Sequence, residues 1–251
     1  MDVWSVGALA AAGGAAGLIN VLVGSGSLFT FPVLLWLGFP PVTANVANTI
    51  GLMVGNISGT IGYRKELYGQ GAKLWTLSAV TFAGAIAGAL LILKLPSSIF
   101  EFIVPYLIGL GCILVIAQPY VAQLRQRRIP RQRSGRIAAH FLISATGVYG
   151  GYFGAAQGVL IMGVLGLTLQ NTMQENNALK NLLQAIAGIA ATIVFVLFGP
   201  LEWQPILIIA ASSIVGGFFG SLLGPRLSPT VLRALVVAVS VAAIVALSIQ
   251  P

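Results

Sequence analysis

Gly24-Ser25-Gly26-Ser27 interrupts an apolar run that begins at Val3, reaches Val23, resumes at Leu28 and continues through Pro32. How that interruption is read decides the fold. A polar, glycine-bearing break in so apolar a segment leaves backbone groups without helical partners. Hydrocarbon offers none, so the break must be sheltered in protein or line a wet cavity. Shifting the numbering by 132 carries Gly24-Ser25-Gly26 onto Ala156-Gln157-Gly158, inside a second glycine-rich run from Gly147 to Gly158. The same shift carries Gly84 to Gly216 and Gly88 to Gly220, placing a G-x-x-x-G pair at one relative position in each half, and a shift of 133 takes Pro96 to Pro229. The chain reads as a duplication.

Composition places that duplication in a membrane. Of 251 residues, 57% are hydrophobic and 7% charged, too little polar surface to cover a water-soluble globule. Several apolar runs approach the roughly 20 residues a helix needs to cross a bilayer. The formal charge of +8 does not indicate nucleic acid, because Arg125, Arg127, Arg128, Arg131, Arg133 and Arg136 crowd into one loop, the pattern of a cytoplasmic connection. Cys112 is the only cysteine, which excludes an internal disulfide framework and a cysteine metal cluster. The run from Val6 to Val23 lacks a basic leader and is expected to be a retained helix.

Taken in order, the expected segments are Val3 to Val23, Leu28 to Leu37, Val42 to Tyr63, Leu74 to Leu93 and Ile99 to Ile116 in a first membrane repeat, 1–120. A basic cytoplasmic linker, 121–136, follows. The second repeat, 137–251, holds a broken segment from Ile137 to Leu169, then Gln174 to Phe198, Trp203 to Leu223 and Val231 to Ile249. This is an all-α polytopic membrane protein with seven to eight helical membrane segments. If each broken segment crosses once, the repeats are parallel; if it returns as a hairpin, they are inverted and Arg226 and Arg233 join the basic loop on one side. The basic residues favour inversion. The G-x-x-x-G pairs read as close helix packing.

Inverted repeats with broken helices suit an anion site, since half-helix N-termini offer free N–H groups and the positive end of the helix dipole. Ser25, Ser27 and Gln157 add side-chain donors, and Gly26 and Gly158 let a ligand approach the backbone. On the following helices Asn48 answers to Lys180 and Thr49 to Asn181 across the same shift. Lys180, several residues into an apolar helix, reads either as the counter-charge of an anionic ligand or as a lysine that reaches the interface or pairs with Glu175. Asn45, Asn48, Asn56, Asn176, Asn181 and Gln184 either line a path or hydrogen-bond between helices. His140 reads as interfacial. No carboxylate pair or His/Cys cluster suggests enzymatic or metal chemistry, and no cofactor is implied.

With these residues in view, the chain resembles the sulfite exporter family TauE/SafE, permeases for sulfite, sulfonates and related sulfur anions. The likeness rests on Ser25-Gly26-Ser27 with Pro32, Gly38-Phe39-Pro40-Pro41 and Ala47-Asn48-Thr49-Ile50 in the first half. In the second it rests on Gly150-Gly151-Tyr152-Phe153-Gly154-Ala155 with Gly158, on Asn177-Ala178-Leu179-Lys180-Asn181, on Trp203, and on Gly216-Gly217 with Gly220. Two serines stand where the family has glycines in the first triplet. The resemblance implies a permease of the bacterial cytoplasmic membrane with substrate near the glycine-rich breaks.

The expected function is therefore export of sulfite or a small organosulfonate by alternating access. The expected substrate-binding set is Ser25, Gly26, Ser27, Asn48, Thr49, Gln157, Gly158, Lys180 and Asn181, with a homodimer as the expected assembly. The alternatives are a passive anion or small-solute channel and a non-transporting scaffold.

Overall fold

The computed structural model describes residues 1–125, 134–169, 171–223 and 229–249. Every regular element among them is helical: α1 (Val3–Leu22), α2 (Ser27–Trp36), α3 (Pro41–Gly62), a short 3-10 turn (Arg64–Leu67), α4 (Gly71–Lys94), α5 (Ser97–Arg125), α6 (Ser134–Tyr152), α7 (Gln157–Thr168), α8 (Met173–Phe198), α9 (Trp203–Leu223) and α10 (Pro229–Ile249). α3, α4 and α5 begin at Pro41, Gly71 and Ser97, and α8, α9 and α10 begin 132 residues later in each case. Of the basic linker expected at 121–136, residues 126–133 lie outside the described residues, as does Arg226, while 121–125 end α5 and 134–136 begin α6.

Local chemistry sets most boundaries. Asp2 caps α1 by accepting from the Ser5 N–H at 2.9 Å, and the Ser5 bonds hold its carboxyl below the usual carboxylate range. Thr172 and Glu175 close a capping box at the start of α8, which commits Glu175 to Thr172 rather than to Lys180. α5 runs well past the apolar stretch ending at Ile116 and contains both Pro105 and Pro119. Five described helices, α1, α4, α5, α8 and α9, carry windows long and apolar enough to cross a membrane. α3 has 22 residues, but Asn45, Asn48 and Asn56 lower its hydropathy below that of its neighbours.

The halves interlock instead of packing side by side. α1 packs mainly on α9, and α6 mainly on α4. Glycines set these contacts: a Cβ on Gly216 would fall 1.9 Å from the Gly14 carbonyl oxygen, and one on Gly88 2.0 Å from that of Val148. Both G-x-x-x-G pairs therefore hold the first helix of the opposite half at backbone distance, as expected of scaffold glycines. Numbers rise together along these contacts. Gly13 and Gly17 meet Ile209 and Ser213, while Gly216 and Gly220 meet Gly14 and Leu18, so α1 and α9 run in one direction. α3 also runs with α9, Gly51, Gly55 and Gly62 meeting Ile209, Ser213 and Ser221. Since α1 and α3 point the same way, α2 must carry the chain back between them.

Candidate functional site

Both breaks turn through the left-handed region at equivalent positions, Gly24 with φ 87° and Ala156 with φ 58°. There the breaks touch. The Gly158 N–H donates to the Gly24 carbonyl at 3.0 Å, and a Cβ on Gly24 or Gly158 would lie 2.5 or 2.4 Å from the other's Cα. No side chain fits between two backbones that close. The second break is braced by the Tyr149 hydroxyl, which donates to the Ala155 carbonyl at 2.7 Å.

Breaking a helix orphans carbonyls at its C-terminal end, where the dipole is negative. Each orphaned end is capped from the opposite half. The Lys180 ammonium, fully buried, donates to the carbonyls of Asn20 at 3.0 Å and Val21 at 2.7 Å, at the end of α1. Asn45 of α3 donates to the Tyr152 carbonyl at 3.1 Å, at the end of α6. Asn20 and Tyr152 are themselves related by the 132-residue shift. Lys180 thus neither reaches an interface nor pairs with Glu175; it cancels the negative helix end facing the first break.

A buried amide cluster surrounds this junction. Asn20 donates to Asn56 Oδ1 at 2.7 Å, while its own Oδ1 accepts from the Gly26 N–H at 3.0 Å and from Gln184 at 3.3 Å. Asn177, Lys180, Asn181 and Gln184 share one face of α8 through i, i+3, i+4 and i+7 spacing. On this side of the bundle the hydroxyl of Ser25, both amide atoms of Asn181 and Oε1 of Gln184 are buried without partners among the described residues, leaving donors and acceptors for a ligand or for water.

The other expected site residues are placed differently. Asn48 is tied to the Thr30 hydroxyl of α2, Thr49 is half-buried, and Gln157 turns back to donate to the Thr146 carbonyl of α6 at 3.1 Å. Ser27 is half-buried at the first position of α2. In this conformation the N–H groups of Gly26 and Gly158 serve Asn20 and Gly24. Asn20, the hub, was missed by the sequence reading. Its signal was present, since it is the only amide in α1.

A cavity of about 570 Å³ approaches the junction between α5, α7 and the first turns of α8 and α10, the end at which α5 runs into residues 126–133. It is lined by Gln118, Val159, Gly163 and Arg233 among others, and Gln118 also reaches the Val23 carbonyl at the first break, at 3.5 Å. At the corresponding place in the first half, aromatic side chains fill the space. Phe31 and Phe100 pack edge-on to Phe153 with ring centroids 5.1 and 5.9 Å away. The 132-residue shift takes Phe31 to Gly163 and Leu34 to Gly166, so one half-helix is a plug and the other a wall.

Interlocked apolar helices with two broken segments in contact define a multi-pass membrane protein built around a buried polar junction. The sulfite exporter TauE/SafE family model matches residues 9–247, and the chain belongs to that family of membrane transporters. A probable membrane transporter protein of Haemophilus influenzae is 26% identical over 90% of this chain and 87% of its own. The probable membrane transporter protein YfcA of Escherichia coli K12 is 28% identical over 84% of this chain and 76% of its own. The probable membrane transporter protein ORF9 of a Sinorhizobium species is 25% identical over 94% and 89%, respectively. No solved structure matches.

Proposed function

We propose that this transporter carries a small sulfur oxyanion, sulfite or an organosulfonate, out of the bacterial cytoplasm by alternating access. The reading takes the chain as two inverted repeats, 1–120 and 137–251, joined by a cytoplasmic basic linker, 121–136. The shared helix starts, the return of the chain through α2 and the reciprocal packing of α1 on α9 and α6 on α4 support it.

The observation that carries the mechanism is the hydrogen bond from Gly158 to Gly24. It closes the junction between the half-helices at a point where only backbone separates them. Rocking of α1 together with α9 against α6 together with α4 parts this contact and frees the Gly158 N–H. An oxyanion then takes that N–H together with the Ser25 hydroxyl and the Asn181 amide, while Gly26, Ser27, Asn48, Thr49 and Gln157 frame the site. Lys180 supplies positive charge where the α1 carbonyl end would otherwise repel an anion.

The test is counterflow of labelled sulfite into proteoliposomes preloaded with unlabelled sulfite, taurine or sulfoacetate. Transient accumulation above equilibrium, lost in Asn181→Leu, is expected. Non-saturating flux without accumulation would replace alternating access with a channel.

A further inference from the structure

The cavity beside α7 has a chemistry that bare sulfite does not explain. A three-oxygen anion needs donors around it, because its charge is costly to remove from water without them. Arg233 and Gln118 are the only charged and amide side chains among the described lining residues; the other described ones, including Val159, Leu160, Val164 and Leu167, are apolar. Arg233 is half-buried with its Nε buried and without a partner among the described residues, and the same holds for Gln118 Oε1. A volume of about 570 Å³ falls in the range of small-molecule sites, far more than one oxyanion fills. The space is written into the sequence, since Gly163 and Gly166 stand where the other half has Phe31 and Leu34.

We propose that this cavity is a binding site for an organic anion with an apolar body of several carbons, its anionic head on the Arg233 guanidinium and its hydrocarbon along the α7 wall. This deepens the transport reading and rests on it: the cavity is the vestibule in which such an anion waits before the junction, and its apolar wall selects for the body of the substrate. A small inorganic anion would gain the charge contact alone.

The probes are methane-, propane- and hexanesulfonate, with hexanol as the uncharged control, titrated by thermal stability into the full chain in nanodiscs of zwitterionic lipid. The variants are Arg233→Gln, which removes the charge, and Gly163→Phe, which installs the plug of the other half. Affinity is expected to rise about fourfold per added methylene, the equivalent of burying one CH₂. Arg233→Gln should weaken hexanesulfonate at least tenfold and leave hexanol unchanged, and Gly163→Phe should abolish both. Hexanesulfonate binding that ignores Arg233 or chain length overturns the proposal. So does phosphatidylglycerol that stabilises the protein through Arg233 and excludes hexanesulfonate, since the cavity would then hold a lipid. If Gly163→Phe does not fold, the Arg233→Gln series decides alone. Intact sulfite counterflow without hexanesulfonate binding defeats this inference but not the transport reading. Arg233-dependent hexanesulfonate binding without counterflow of any sulfur anion defeats the transport reading and leaves the site.

Discussion

The Gly158 N–H donates to the Gly24 carbonyl at 3.0 Å, joining two helix breaks that lie 134 residues apart in the chain. Each glycine excludes a side chain on the other, so the contact serves as a latch whose strength depends on the absence of two Cβ atoms.

Gly158→Ala should open that latch. Its methyl would sit 2.4 Å from the Gly24 Cα and 2.7 Å from Gln184 Oε1. Overpacking of this kind typically costs about 1–3 kcal/mol. A lowered melting midpoint together with loss of sulfite counterflow is expected; a wild-type midpoint would show that the breaks are not in contact in the membrane.

Lys180→Met should lower stability as well as weaken anion binding, because it strips the caps from the Asn20 and Val21 carbonyls. Leaving buried carbonyls unpaired costs about 1–3 kcal/mol, visible as a fall in the thermal midpoint without ligand. An unchanged midpoint with weakened sulfite binding would assign the lysine to the ligand alone.

Asn20→Leu removes one side chain from three hydrogen bonds, with Asn56, Gly26 and Gln184. The double-mutant cycle with Asn56→Leu should show coupling, since the second change deletes a partner already orphaned. Additive losses would mean that the two amides act independently.

Among scaffold glycines, Gly216→Ala should destabilise strongly and Gly7→Ala should be neutral. The first places a methyl 1.9 Å from the Gly14 carbonyl oxygen, whereas the second meets nothing within 4 Å. Detergent-solubilised yield and melting midpoint measure both; equal behaviour would contradict the close packing of α9 on α1.

Return of the chain through α2 predicts sidedness. In a background lacking Cys112, cysteines at Val3 and Pro40 should react with an impermeant reagent from one side of the membrane and a cysteine at Lys65 from the other. Val3 and Pro40 labelling from opposite sides would make the first broken segment a single crossing.

The sequence by itself determined the membrane setting, the helix sequence, the two breaks and the 132-residue correspondence. These depend on composition, hydrophobic length and glycine placement, all of which act within one segment. It also marked the G-x-x-x-G pairs as contact surfaces, though not which helix each would hold.

Partnership was decided only by tertiary structure. Nothing near Lys180 in the chain says that its ammonium meets carbonyls about 160 residues away, because the need for a cap arises only when α1 ends inside the bundle. Asn48 and Gln157 looked as exposed to a ligand as Asn181, yet Thr30 and the Thr146 carbonyl claim them. The cavity is likewise a product of folding, since Gly163 becomes a wall only where α5 and α10 stand opposite it. Burial makes each polar group seek a partner, and only the packing of the two halves on one another fixes which partner lies in reach.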